Sequence, residues 1–128
     1  MANRKQRLID TEEGSVSYKR NVAYSIVKLA TQEINGIASL DNSGLKLSKR
    51  LFNKNYRRGV LIEFGDDDDV YVDVYINVLF GYSVKDISFR VQENIKSSIE
   101  SMTDFKVAAI NVNVTGVVFT NVEEISVF

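Results

Sequence analysis

The clearest pattern in the chain is the alternation within "FGDDDDVYVDVYINVLFGYS", residues 64–83. Val70, Val72, Val74, Ile76, Val78 and Phe80 fall on one side, and Tyr71, Asp73, Tyr75, Asn77 and Leu79 on the other. A period of two is that of a strand with one buried face. Upstream, Val60, Ile62 and Phe64 alternate with Leu61 and Glu63, and the short polar segment between the runs predicts a hairpin. Elsewhere the spacing becomes helical. Val22, Ile26, Leu29, Ala30, Ile34 and Ile37 recur every three or four residues, with Ser17 placed to cap the start and Gly36 to turn the chain at the end. A second stripe, Ile87, Val91, Ile95, Ile99 and Met102, follows Ser83 and Asp86, which are spaced as a capping pair. Gly14 to Ser17 reads as a short extended segment. A last strand from about Val107 to Phe119 sets Ile110, Val112 and Val114 against Asn111, Asn113 and Thr115.

The predicted order is strand, helix, strand, strand, helix, strand. Each strand has one apolar face and each helix one apolar stripe. Together they predict an α+β fold, a βαββαβ split arrangement with a mostly antiparallel sheet and both helices packed on one face. The expected organisation is a tail over 1–13, a single domain over 14–119 and an extension over 120–128.

Composition narrows the chemistry. The 128 residues are 45% hydrophobic and 26% charged with a net charge of −1, so no global field draws nucleic acid or an anionic membrane. The chain has no cysteine and no histidine. Disulfides, thiolate nucleophiles, and the commonest general base and metal ligand are therefore missing together. The polar start, MANRKQRLIDTEEG, lacks the apolar core of a signal peptide, and no apolar run reaches the ~20 residues that span a bilayer. The expectation is a cytoplasmic protein whose membrane link, if it has one, runs through a partner.

Three segments invite a functional reading. Asp66 to Asp69 are consecutive, so their side chains diverge, and no bidentate glutamate follows at the distance a calcium loop needs. They read as a hydrated turn, and no metal or cofactor site is expected. Lys46, Lys49, Arg50, Lys54, Arg57 and Arg58 lie in a stretch without acidic residues from Leu45 to Gly59. It is either a solvated loop or a surface for an anionic ligand, an acidic protein or a lipid surface. Tyr71 and Tyr75 flank Asp73 on the open face of the central strand, which also carries Asn77, Asn111 and Asn113. Aromatic area beside polar anchors suits a self-association or partner face. RNA-recognition sheets also stack bases on aromatics, but they place basic residues and glycines where this chain has GDDDDVYVDVY. Ser97, Ser98 and Ser101 have no histidine to activate them, and no catalytic constellation emerges.

The segment from Tyr56 to Val118 resembles the bacterial alkaline shock protein family of Gram-positive bacteria. The matching features are RRGV opening a strand, an aspartate within VDVYINV, a glycine turn, VQENIKSSIESMT as the second helix, and NVNVTGV at the close. GSVSYKRNVAYSIVKLATQEINGIASL is similar to the family's opening strand, helix and glycine turn, so the resemblance covers about residues 14–119. GYSVKDI departs from the family's GVNIPEV, and the aspartate run is longer than its usual acidic turn. The resemblance implies a non-enzymatic protein linked to envelope stress. Such a protein would self-associate, bind a paralogue, or be held beneath the membrane by an anchored partner. Some short members imply the alternative of a regulatory module acting on an enzyme or anionic ligand of fatty-acid or lipid metabolism. RNA binding is the weaker alternative, and no DNA is expected.

Overall fold

The computed structural model describes residues 4–40 and 56–119, with side chains described for 18–40 and 57–119. In chain order the elements are α1 (Arg4–Gln32), β1 (Ile37–Leu40), β2 (Tyr56–Arg57), β3 (Val60–Phe64), β4 (Asp69–Leu79), α2 (Val84–Met102) and β5 (Lys106–Val118). The alternating run makes β4, and β4 organises the sheet. β5 lies parallel along its full length, from Asp69↔Lys106 to Leu79↔Val118. That pairing occupies one edge. β3 and β1 therefore share the other edge end to end, β3 against Val70 to Val74 and β1 against Ile76 to Val78, both antiparallel. β2 closes the sheet by pairing with β3.

Every second residue of β4 faces the helices. Val70, Val72, Val74, Ile76 and Val78 are at most 1% exposed. They share one core with Ala23, Tyr24, Ile26, Val27 and Ala30 of α1 and with Ile87, Val91, Ile95 and Ile99 of α2. Both helices thus cover the same sheet face, as the α+β reading required. α2 begins where the Asp86 amide donates to the Ser83 hydroxyl at 3.3 Å. It ends where the Thr103 hydroxyl donates to the Ile99 carbonyl at 2.6 Å and accepts from the Phe105 amide at 3.1 Å. Asn94 of α2 ties the helices together by donating to the Ala30 carbonyl at 2.7 Å and the Glu33 carboxylate at 3.0 Å.

Two features differ from the expected order. Gly14 to Ser17 is not an extended segment but lies within α1. A lone glycine costs a helix only about 1 kcal/mol against alanine, and the neighbouring Glu12, Glu13, Lys19 and Arg20 are good helix formers. The first strand instead follows the helix, at Ile37–Leu40. Nor is the second βαβ unit split by an inserted strand, because β4 and β5 are direct neighbours. The ends of the apolar stripes also stray outward, with Leu29, Met102 and Phe80 all exposed.

Two glycines are demanded by geometry. Gly36 has φ +101°, and a Cβ there would sit 2.5 Å from Ile87 Cδ1 and 2.7 Å from the Tyr82 ring. Its carbonyl accepts from the Leu79 amide at 2.7 Å, which fixes the entry of β1 beside β4. Arg58 and Gly59 form a two-residue hairpin loop between β2 and β3, with φ +43° and +88°. Positive φ at both central positions is the requirement of the tight hairpin turn whose twist suits its strands. The aspartates complete the β3–β4 hairpin as a tight turn over Asp66–Asp68, left-handed at Asp67 (φ +56°) and Asp68 (φ +63°), and closed by the Gly65 amide donating to the Asp69 carbonyl at 2.8 Å. Lys19 Nζ reaches Asp68 at 3.6 Å, a half-exposed pair of the kind that contributes little.

β2 is held down onto α1 by side chains. The Arg57 guanidinium lies over the Tyr24 ring, 4.7 Å from its centroid, and donates to Asn21 Oδ1 at 2.8 Å. Tyr24 is buried, and its enclosed hydroxyl, near the Ile62 backbone, makes no well-formed hydrogen bond. Burial pushes its pKa above the ordinary 10.0, with the Ile62 backbone and the Arg57 and Arg20 guanidiniums offsetting part of the effect.

Two stability predictions come from this packing. Ile95 is fully buried at the centre of α2, so Ile95→Ala is expected to cost about 2–5 kcal/mol through lost transfer energy and a residual cavity. Ser97→Ala, on the exposed side, should change little. Chemical denaturation of the two variants checks the ranking, and equal losses would mean the buried face is misassigned. For Tyr24, a folded pKa above the unfolded one gives stability that is present below pH 10 and lost as pH rises through the folded value. Tyr24→Phe removes the titration and an unpaired buried hydroxyl together. It should leave neutral-pH stability unchanged or higher and flatten the alkaline loss. An identical alkaline slope in parent and variant would contradict this.

Candidate functional site

The sheet face turned away from the helices is built by the other half of each alternation. On β4 it carries Tyr71, Asp73, Tyr75, Asn77 and Leu79, and β3 adds Leu61 and Glu63 in register with Asp73 and Tyr71. β5 brings Ala109, Asn111 and Asn113 opposite Tyr71, Asp73 and Tyr75. Parallel pairing sets like faces side by side, so amide and carboxylate groups from distant parts of the chain meet. Asn111 Nδ2 donates to Asp73 Oδ1 at 2.8 Å, and Asn113 Nδ2 to the Val74 carbonyl at 3.3 Å. The Thr115 hydroxyl lies 3.1 Å from the Ile76 carbonyl and 3.2 Å from Asn77 Oδ1, while Asn77 Nδ2 donates to Ser39 Oγ at 3.3 Å. These bonds fix a polar ladder across β1, β4 and β5. Beside it, the Tyr71 ring is 46% exposed, so an aromatic surface is presented next to side chains whose positions are already set.

Tyr71, Asp73 and Tyr75 therefore lie together, as the alternation predicts. The basic residues do not join them. Arg57 is in register with Val60, on the helix side of the sheet, and its guanidinium is engaged by Tyr24 and Asn21. Arg58 is exposed at the hairpin turn. Lys46, Lys49 and Arg50 lie outside the described residues. Sequence reasoning missed the contribution of Glu63, Ser39 and Thr115, because which strand lies beside β4, and in what register, is not a local property. It also missed a stacked pair at the end of the sheet, Phe80 and Phe119, with centroids 4.7 Å apart and both rings exposed. Among the described residues, no three carboxylates come together in a way that could hold a metal ion. The arrangement offers recognition by stacking and by directed hydrogen bonds.

Comparison with known proteins agrees with this picture of the fold. An uncharacterized protein of Bacillus subtilis (strain 168), YqhY, is 31% identical over 120 residues, covering 92% of this chain and 88% of its own. The uncharacterized Spy1535 of Streptococcus pyogenes serotype M6 is 29% identical over 106 residues, covering 82% and 80%. Among solved structures, a MamM CTD variant superposes with a TM-score of 0.52 at 13% identity, over 75% of this chain and 93% of that one. That likeness is one of fold. Among the described residues, no helix is long and apolar enough to cross a membrane. Residues 8–119 match the model of the alkaline shock protein 23 family, described as having a cell envelope-related function, and the chain belongs to that family.

Proposed function

We propose that this protein is a non-enzymatic structural or regulatory interaction module of envelope homeostasis, which self-associates and binds a protein partner beneath the membrane. The observation that carries the reading is the open face of the sheet. Its Asp73, Asn77, Asn111 and Thr115 groups are ordered by one another, and Tyr71 stands half exposed beside them. A surface ordered before binding loses little side-chain entropy on docking, and exposed tyrosine next to polar anchors is the composition of interface centres. The family's cell envelope-related function supports a partner at the envelope. Glu63 and Asp73 beside the tyrosines disfavour a phosphate backbone on the same face, which weighs against RNA. With Arg57 engaged by α1, the described part of the basic surface reduces to Arg58, which supports a salt-sensitive contribution and not the principal contact.

Co-sedimentation of the full chain with membranes from its own host, native proteins retained, tests this. Tyr71→Ala combined with Tyr75→Ala is expected to weaken recruitment about tenfold or more, nearly independently of salt. Arg58→Glu should weaken it at low ionic strength alone. If both variants remain folded and sediment like the parent, the open face is not the partner surface. Turnover of a metabolite by the purified protein, abolished by a single carboxylate or tyrosine change, would overturn the non-enzymatic reading.

A further inference from the structure

We infer that the outer edge of β5 is a self-pairing edge, and that two copies of this chain join their sheets by antiparallel β5–β5 pairing centred on Val112. This deepens the self-association part of the reading above and rests on it, but uses a different surface from the open face.

Backbone groups of β5 alternate between the β4 side and the outer edge. Gln92 of α2 donates to the Ile110 carbonyl at 2.8 Å, although β4 lies on the other side of β5, so that carbonyl points outward. The β4 groups agree. The Tyr75 and Leu79 amides donate to Gly59 and Gly36, on the β3/β1 side, while the Phe80 amide donates to Val118 of β5. Even-numbered β4 residues therefore bond to β5. Through the uninterrupted register from Val72↔Ile110 to Ile76↔Val114, their partners at 110, 112 and 114 turn their amides and carbonyls outward. Among the described residues, the outward N–H and C=O groups of Val112 and Val114 have no partner, and no strand pairs with this edge.

The side chains tell the same story. Val72, Val74 and Ile76 of β4 are at most 1% exposed, whereas the adjoining Ile110, Val112 and Val114 are only partly buried although they pack on the same core. The core is thus incompletely covered along β5. Proline and charge, two of the usual protections of an exposed edge, are scarce: the chain has no proline, and Lys106 is the one charged residue in β5, at its beginning. The two irregularities of the β4–β5 register fall at residues 108 and 115, on either side of the self-pairing segment, and leave 109–114 regular.

A second copy fits this edge because the segment is self-complementary. With a two-fold axis at Val112, Ile110 faces Val114 of the other copy, Val112 faces its equivalent, and Asn111 faces Asn113. The outward residues at 110, 112 and 114 are then the hydrogen-bonded pairs of an antiparallel ladder, so their groups meet in the correct phase. β-branched residues pair with β-branched residues on the core side, amides with amides on the open side, and no charge opposes a like charge. The Ile110 carbonyl keeps a second lone pair beside Gln92. Phe89 of α2, three residues before Gln92 and so on the same side of the helix, is 62% exposed and placed to meet the second copy.

Sedimentation of the full chain over a concentration series, with amide hydrogen exchange at each end of the series, tests the inference. The expected result is a reversible dimer. The Val112 and Val114 amides should be protected at high concentration and exchange freely on dilution. Val112→Pro removes an outward donor from the strand and trims a partly buried side chain, whereas Phe89→Glu changes only an exposed side chain. Each should shift the mass to that of one copy at matched concentration. Should Val112→Pro unfold, the Phe89 variant and the parent's own exchange pattern still decide. An assembly whose Val112 and Val114 amides exchange freely would overturn β5 pairing and leave self-association through another surface standing. A parent that sediments as one copy at every concentration would overturn both, leaving the membrane co-sedimentation to judge partner binding alone.

Discussion

The structure depends on β4 having both of its edges paired. Eleven residues, Asp69–Leu79, hold β5 along one edge and β3 and β1 in succession along the other. Its inward row of valines and isoleucine is the floor on which both helices rest. One strand therefore fixes the position of everything else. A slip of one residue would turn Tyr71, Asp73 and Tyr75 into the core and five apolar side chains into water, which is why the register is so strongly specified.

The same constraint determines where function can reside. With the helices on one face, the outward row of β4 can be a surface, and parallel pairing with β5 supplies Asn111, Asn113 and Thr115 to order it. The surface is rigid because its polar groups are bonded to one another and to backbone carbonyls of β4. The sheet closes asymmetrically. The β3 side is extended by the two-residue β2, anchored to α1 through Arg57 and Tyr24, whereas the β5 side ends in a long strand whose outward groups at Val112 and Val114 have no partner among the described residues.

Much of this was legible in the sequence wherever the signal is local. The period of two in β4, the Ser83 cap with Asp86 and the stripe from Ile87 to Ile99 each belong to one element, and each is present. What failed depends on contacts between elements. Ile37 continues the helical spacing of α1, yet Gly36 turns the chain to the free half of a β4 edge and makes it the start of β1. Gly14 to Ser17 carries a single glycine, which reads as punctuation but does not outweigh the helix formers around it. Leu29 and Met102 obey the helical period but lie beyond the area the sheet covers. The candidate site divides the same way. Strand alternation alone placed Tyr71, Asp73 and Tyr75 together, whereas the engagement of Arg57 with Tyr24, thirty-three positions earlier, has no sequence signature.

Native-state hydrogen exchange along β4 tests the central role of this strand most directly. If every other element is tied to it, the amides of Val72, Val74 and Ile76 exchange only through global unfolding, with the protein's full unfolding free energy and the full denaturant dependence. Amides of β2 and of the first turns of α1 should open at lower cost, while β4 stays closed. The contradicting result is exchange of the β4 amides through a local opening, at a free energy below that of the α2 core around Ile95. The helices would then hold the fold together, with the sheet merely packed against them.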